Sequence, residues 1–197
     1  MVHPTTKSFF LLLVILFSSH CLGKPYRFEF IEQDSKTEFE GTGKPSLLKI
    51  HGSSEKKLDG AFVFEGRKLS VKAVFDLNGL DTGIELRNEH MKDRYLEVKK
   101  FPKAELIIRE IHLPTEFASS SFSFSGPFQG VLQLHGATHP VSGTIEAKVD
   151  GEILEAACSF SLSIRDFKIQ RPSYANISMT DDVKVNAKAK AKWVRTP

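Results

Sequence analysis

Apolar and polar residues alternate with a period of two along most of this chain, the spacing that turns one face of a strand to a core and the other to water. Leu154, Ala156, Cys158, Phe160, Leu162 and Ile164 are interleaved with Glu155, Ser159, Ser161, Ser163 and Arg165. The runs Val141–Val149, Lys68–Leu77 and Tyr26–Phe30 have the same character. The last run is the most instructive, because Ala and Lys favour helix. Val183, Val185, Ala187, Ala189, Ala191 and Trp193 hold odd positions there, and Lys184, Lys188, Lys190 and Lys192 hold even ones. A helix would scatter those lysines around its circumference; a strand puts them on one outer face. The pattern predicts a strand with a solvated lysine row.

Breakers punctuate the runs at Gly41-Thr42-Gly43-Lys44-Pro45, Asn78-Gly79, Gly126-Pro127, His135-Gly136 and Asp150-Gly151. The last of these, between two clean alternating runs, signals a hairpin. From about Gly83 to Lys99 the rhythm changes. Ile84, Met91, Tyr95 and Val98 are spaced for a helical face, and Pro102 bars helix beyond about Lys100. The expectation is an all-β, antiparallel domain of about eight to ten strands with one helical excursion. Such strands either stack as two sheets or close into a barrel, and closure removes exposed edges. An eight-stranded barrel is just wide enough for packed side chains or one small ligand.

The first 23 residues stand apart. Lys7 precedes an unbroken apolar run, Phe9 to Phe17, and a short polar stretch leads to Cys21-Leu22-Gly23. This is the layout of a secretory signal cleaved after Gly23, and the run is too short to span a bilayer. Lipid attachment at Cys21 is disfavoured by Ser18 and His20, where a large aliphatic and a small residue are wanted. The domain is therefore expected to occupy residues 24–197, with Cys158 as its one cysteine. A secreted protein of this size needs no disulfide to stand.

Composition adds two points. There are 16 Phe against 3 Tyr and 1 Trp, and the net charge of +3 is too balanced for a nucleic-acid binder. The search for chemistry is mostly negative. His135 and His139 have the spacing of a helical zinc pair, but Gly136 and Pro140 make the segment a hairpin turn, and no cluster of metal ligands accompanies them. No phosphate loop, dinucleotide fingerprint or Gly-flanked Ser is present. Cys158 falls in an inward row, where a thiol behaves as a small hydrophobe. Asn176-Ile177-Ser178 fits the glycosylation pattern, which matters only in a eukaryotic secretory pathway. The sharpest cluster is Asp81-Thr82 followed by Arg87-Asn88-Glu89-His90-Met91-Lys92. It reads either as a solvated helix face or as the rim of a barrel, with His90 offering a polar contact to a ligand head group.

These residues also carry a family resemblance. Leu80-Asp81-Thr82-Gly83, then Arg87 to Lys92, then Phe101-Pro102-Lys103-Ala104, resemble the central signature of the YceI-like family. Gly130 to Val141 is similar to that family's strand-turn-strand, and Arg165-Asp166-Phe167-Lys168-Ile169 to a later element. The resemblance spans about Tyr26 to Trp193. It implies an exported, periplasmic or secreted, lipocalin-like barrel of about eight principal strands. Its apolar interior would hold a polyisoprenoid, isoprenoid quinone or similar long lipid, without catalysis, metal or cofactor. Arg87, His90, Met91, Phe101 and Pro102 match the family's motif positions. Two departures stand out: Asn88, where Asp is common, which removes a charge at the helix, and Lys168-Ile169, where Gly-Ile is usual, which bears on the turn after Phe167.

Inward Phe offers area with no polar atom to satisfy, and inward Gly143, Ala147, Ala156, Ala187, Ala189 and Ala191 leave volume that rings or a ligand must fill. Phe28, Phe75, Phe160, Leu162 and Trp193 are the expected apolar lining. Met91 and Tyr95 are expected at the helix-side mouth beside His90, with transient membrane contact during loading. Two rivals remain open at this point: an enzyme using His90 as acid or base, and a packed barrel serving as an interaction module.

Overall fold

The computed structural model describes residues 25–31, 35–44, 49–117, 121–174 and 177–195. The expected signal segment and Asn176 lie outside the described residues. The strands are β1 (Tyr26–Phe30), β2 (Lys36–Lys44), β3 (Lys49–Ser54), β4 (Asp59–Glu65) and β5 (Lys68–Asp76). They continue with β6 (Lys103–His112), β7 (Ser121–Leu134), β8 (Ala137–Asp150), β9 (Ile153–Ser163), β10 (Ser173–Tyr174) and β11 (Ile177–Val194). Each main strand pairs antiparallel with its neighbours in the order β1-β4-β5-β6-β7-β8-β9-β11, and β11 returns to β1. The result is a closed eight-stranded antiparallel barrel.

The first hairpin is made of broken strands. β1 and β2 lie end to end along one edge of β11, with Phe30 opposite Ala191 and Thr37 opposite Ala187. β3 pairs with β2, and β4 with β1. The β3 stretch thus leaves a seam in the wall. The chain after β5 covers it: Ser53 and Asp81 exchange two backbone hydrogen bonds of 2.8 Å.

The predicted lysine-bearing strand is β11, the longest among the described residues, with Ala189 and Ala191 buried and Lys184, Lys188 and Lys192 exposed. The hairpin at Asp150-Gly151 joins β8 to β9 across Gly151 and Glu152. His135 and Gly136 form the turn between β7 and β8, with φ of 50° and 71°. Both central residues are left-handed, as a two-residue turn matched to strand twist requires.

Two expectations need correction. Gly126-Pro127 does not end a strand, because β7 runs through it and Pro127 pairs with Thr144 of β8. On its other side β7 meets β6 only between Val131–Gln133 and Glu105–Ile107. The proline's missing N–H therefore falls where the neighbouring strand has splayed away. The helical excursion is also shorter and less regular than one helix to Lys99. It comprises α1 (Glu85–Glu89) followed by a π-helical turn, His90–Tyr95. Glu97, at φ 44°, reverses the chain.

Candidate functional site

The two ends of the barrel are built from different residues. At one end Phe28, Phe64, Phe117 and Phe122 pack as a plug. The Phe64 and Phe117 rings stack at 4.1 Å, and Phe28 and Phe122 meet Phe64 edge-on at 5.7 and 5.8 Å. Phe117 reaches the axis on the connection from β6 to β7. The Leu113 and Phe117 N–H groups donate to the carbonyls of Arg67 and Gly66, at 2.8 and 2.9 Å, and so tie that connection to the β4–β5 turn. Tyr26 and Trp193 complete the plug, their rings 5.9 Å apart.

Above the plug lies an apolar cavity of about 610 Å³ that opens at the helical end. That volume is in the usual range for ligand pockets. Of the residues expected to line it, Phe75, Phe160, Leu162, His90, Met91 and Tyr95 all stand on its wall or rim. Phe28 and Trp193 do not. They belong to the plug below, because the inward row of a strand passes from cavity to plug and alternation cannot tell the two apart. Small residues do leave the space: Ala156, Ala187 and Ala189 line it. Gly143 instead lets β9 approach closely, since a Cβ there would collide with the Ser159 carbonyl oxygen and sit 2.8 Å from the Phe160 Cβ.

The rim mixes apolar and charged groups. Ile84 and Leu86 are about half exposed, at 49% and 53%, on its outer lip. Arg87 and His90 face the opening without a hydrogen-bond partner among the described residues. Tyr95 spans the mouth, its ring on the cavity and its hydroxyl oxygen accepting from the Ser173 N–H at 3.4 Å. Among the described residues no group of three or more His, Cys, Asp or Glu gathers to hold a metal. Burial pushes the Cys158 thiol on the cavity wall up to about 11, which leaves it protonated at neutral pH.

Hydrogen bonds brace the rim to the barrel. Asn88 accepts from the Thr82 N–H and hydroxyl, both at 2.8 Å, and donates to Asp81 at 2.7 Å. That donation, with the Gly83 N–H, holds the Asp81 carboxyl below its ordinary range. An Asp at position 88 could accept from Thr82 but could not donate to Asp81. The departure at Asn88 thus trades a charge for a two-way bridge. At Asp76 burial alone would raise the carboxyl, but Lys56 at 2.8 Å and two bonds from Asn78 outweigh it and hold it at about 2.

His135, weighed in the sequence only as a metal ligand and a turn residue, has a bracing role that the sequence reading missed. Its Nδ1 donates to the Phe167 carbonyl at 3.0 Å, its Nε2 meets the Glu97 carboxylate at 2.8 Å, and its ring lies 4.7 Å from Phe101. The imidazole joins the three motif segments at the mouth into one latch. A signal was available, because His is an unusual residue for a left-handed turn position normally held by Asn, Asp or Gly. The other departure is explained nearby: Lys168 sits at φ 58°, a conformation that favours the Gly usual there.

A closed antiparallel barrel with a single-mouthed apolar cavity defines a lipocalin-like class of protein. The model of the YceI-like domain matches residues 28–191, and the chain belongs to that family. Solved structures with this fold include a polyisoprenoid-binding domain from Saccharophagus degradans implicated in plant cell wall breakdown. It is 15% identical with a TM-score of 0.63, over 85% of this chain and 97% of that one. BcnA from Burkholderia cenocepacia is 14% identical with a TM-score of 0.63, over 80% and 96%. A YceI protein from Campylobacter jejuni is 15% identical with a TM-score of 0.55, over 73% and 85%. No curated protein sequence matches the chain.

Proposed function

We propose that this chain is an exported carrier that holds the apolar chain of a polyisoprenoid, isoprenoid quinone or similar amphiphile in its barrel. The cavity of about 610 Å³ carries this reading. Each methylene-sized unit of a chain buried there gains about 0.8 kcal/mol, so a long tail is held without specific contacts. Phe75, Phe160 and Leu162 supply that wall, and Met91, Tyr95 and His90 border the entrance. The fold shared with a polyisoprenoid-binding domain supports the ligand class. The signal-like pattern of residues 1–23 supports export to the periplasm or beyond. The half-exposed Ile84 and Leu86 beside the opening suit brief contact with a membrane from which such lipids are drawn.

The rival readings have less support. Among the described residues His90 has no hydrogen-bonded group to hold its ring in one orientation, which an acid–base role draws on. An open cavity disfavours a solid barrel acting only as an interaction module. Native mass spectrometry of the purified protein, before and after organic extraction, tests the proposal. The expected result is an extractable long-chain lipid and uptake of farnesyl or longer chains by the stripped protein. A stripped barrel that takes up no such chain would refute it.

A further inference from the structure

Three buried polar side chains occur among the described residues, and they form one patch. Ser35, Thr37 and Ser54 are 4%, 9% and 4% exposed. Thr37 stands opposite Ser54 on β3 and opposite Ala187 on β11, which in turn stands opposite Cys158 on β9. Ser54, Thr37, Ala187 and Cys158 therefore lie side by side around the wall. This level is four residues along β2 from Gly41, which faces Val183, a distance of about 13 Å at the rise of a strand.

Ser54 is accounted for, since its hydroxyl accepts the Lys56 N–H at 3.2 Å. Thr37 is not. It lines the cavity and has no hydrogen-bond partner among the described residues. Ser35, two residues earlier, buries a hydroxyl that is likewise unpartnered. Buried hydroxyls are normally satisfied, and the unpaired Ser35 hydroxyl beside a Thr37 with no protein partner costs stability that Ala or Val would not. A ligand atom in the cavity would recover that cost.

The chemistry of the patch limits what the atom can be. A hydroxyl can donate to a carbonyl or accept from an alcohol. It cannot neutralise a phosphate, and Lys36 and Lys188 beside this level are exposed on the outer face. The cationic residues that border the cavity among the described residues are Arg87, Lys49, which is held by Glu40 at 2.6 Å, and Lys188, whose side chain is exposed to solvent. A charged head group sunk to the level of Thr37 would lose its hydration with no buried counter-ion among the described residues.

We propose that Thr37, backed by Ser35, is a polar subsite for one neutral oxygen of the bound amphiphile. That oxygen is a quinone or ester carbonyl, or an alcohol hydroxyl, held midway down the cavity. The inference rests on the lipid-binding reading above and adds to it a preference among lipids.

The test compares two probes, a benzoquinone bearing a farnesyl tail and the hydrocarbon squalene, on the wild type and on Thr37→Val, which keeps the shape and removes the hydroxyl. The variant should bind the quinone about three- to tenfold more weakly, the scale of one net hydrogen bond, and squalene within about twofold of the wild type. In the wild type alone, the infrared carbonyl stretch of the bound quinone should lie below its value in hexane. Thr37→Ser should retain the quinone preference. Equal losses for both probes, or no loss for either, would overturn the subsite while leaving the carrier reading intact. A carbonyl stretch matching that in hexane would also overturn it. A wild type that binds neither probe would instead overturn the carrier reading itself.

Discussion

The plugged end and the open end of the barrel enclose one cavity, yet they are held together by different forces. At the plug, aromatic rings from β1, β4, β7 and the β6–β7 connection bury one another, and Phe64 is wholly inaccessible to solvent. Its stability is a matter of area and packing, which neither pH nor salt alters much. At the mouth the work is done by polar bridges: Asn88 between Thr82 and Asp81, His135 between Glu97 and Phe167, and Lys56 on Asp76. The helical segment there buries no residue completely. The proposed carrier role would draw on this inequality, because local opening draws on the segments with few buried contacts. One end must stay shut to hold a ligand, and the other must be able to yield to admit it.

The sharpest way to break this contrast is to empty the plug. Phe64→Ala should cost about 3–5 kcal/mol in denaturant unfolding. Leu86→Ala on the outer lip should stay within about 0.5 kcal/mol of the wild type. Comparable losses would mean that the two ends share the load. A smaller effect is expected at the latch. His135→Asn keeps a residue that tolerates the left-handed turn but strands the Phe167 carbonyl and frees Glu97, so a loss of about 1–3 kcal/mol is expected. Amide exchange should quicken between residues 84 and 101 and not in the plug strands. Uniform quickening would deny that the mouth opens separately.

The smallest effect concerns acid. Asp76 is held at about 2 in the folded protein, against about 3.9 in an unfolded chain. A carboxyl lowered by folding contributes stability that is fully present above the unfolded value. That contribution is lost as pH falls from about 4 towards 2. Exchange at residues 77–82 should therefore rise across that window, and Asp76→Asn should flatten the dependence. An unchanged profile in the variant would assign the acid sensitivity to another carboxylate.

Much of the barrel is legible in the sequence because a strand's side chains alternate with an invariant period. The β11 run displays it most plainly, its alanines inward and lysines outward despite a helix-favouring composition. The hairpins at His135-Gly136 and Asp150-Gly151 follow from local turn chemistry in the same way. The site was legible only in part. Phe75 and Phe160 lie on the cavity wall while Phe28 and Trp193 lie in the plug, although all four occupy inward rows. Depth along the barrel axis depends on strand register and on where Phe117 enters, and both are contacts between distant segments. Gly126-Pro127 misled for a related reason, since a proline is tolerated inside a strand only if its neighbour has moved away.

By itself, then, the sequence determined the strand faces, most of the turns, the place of the helical excursion and the family. Periodicity, turn residues and spaced motifs are local properties that the order of residues carries. Only the tertiary structure decided which inward faces meet as a plug and which stand apart around a cavity. It alone brought Glu97, His135 and Phe167 into one latch and set Thr37 opposite Ser54 on the cavity wall. Those arrangements join residues far apart in the chain, and closing the ring is what brings them together.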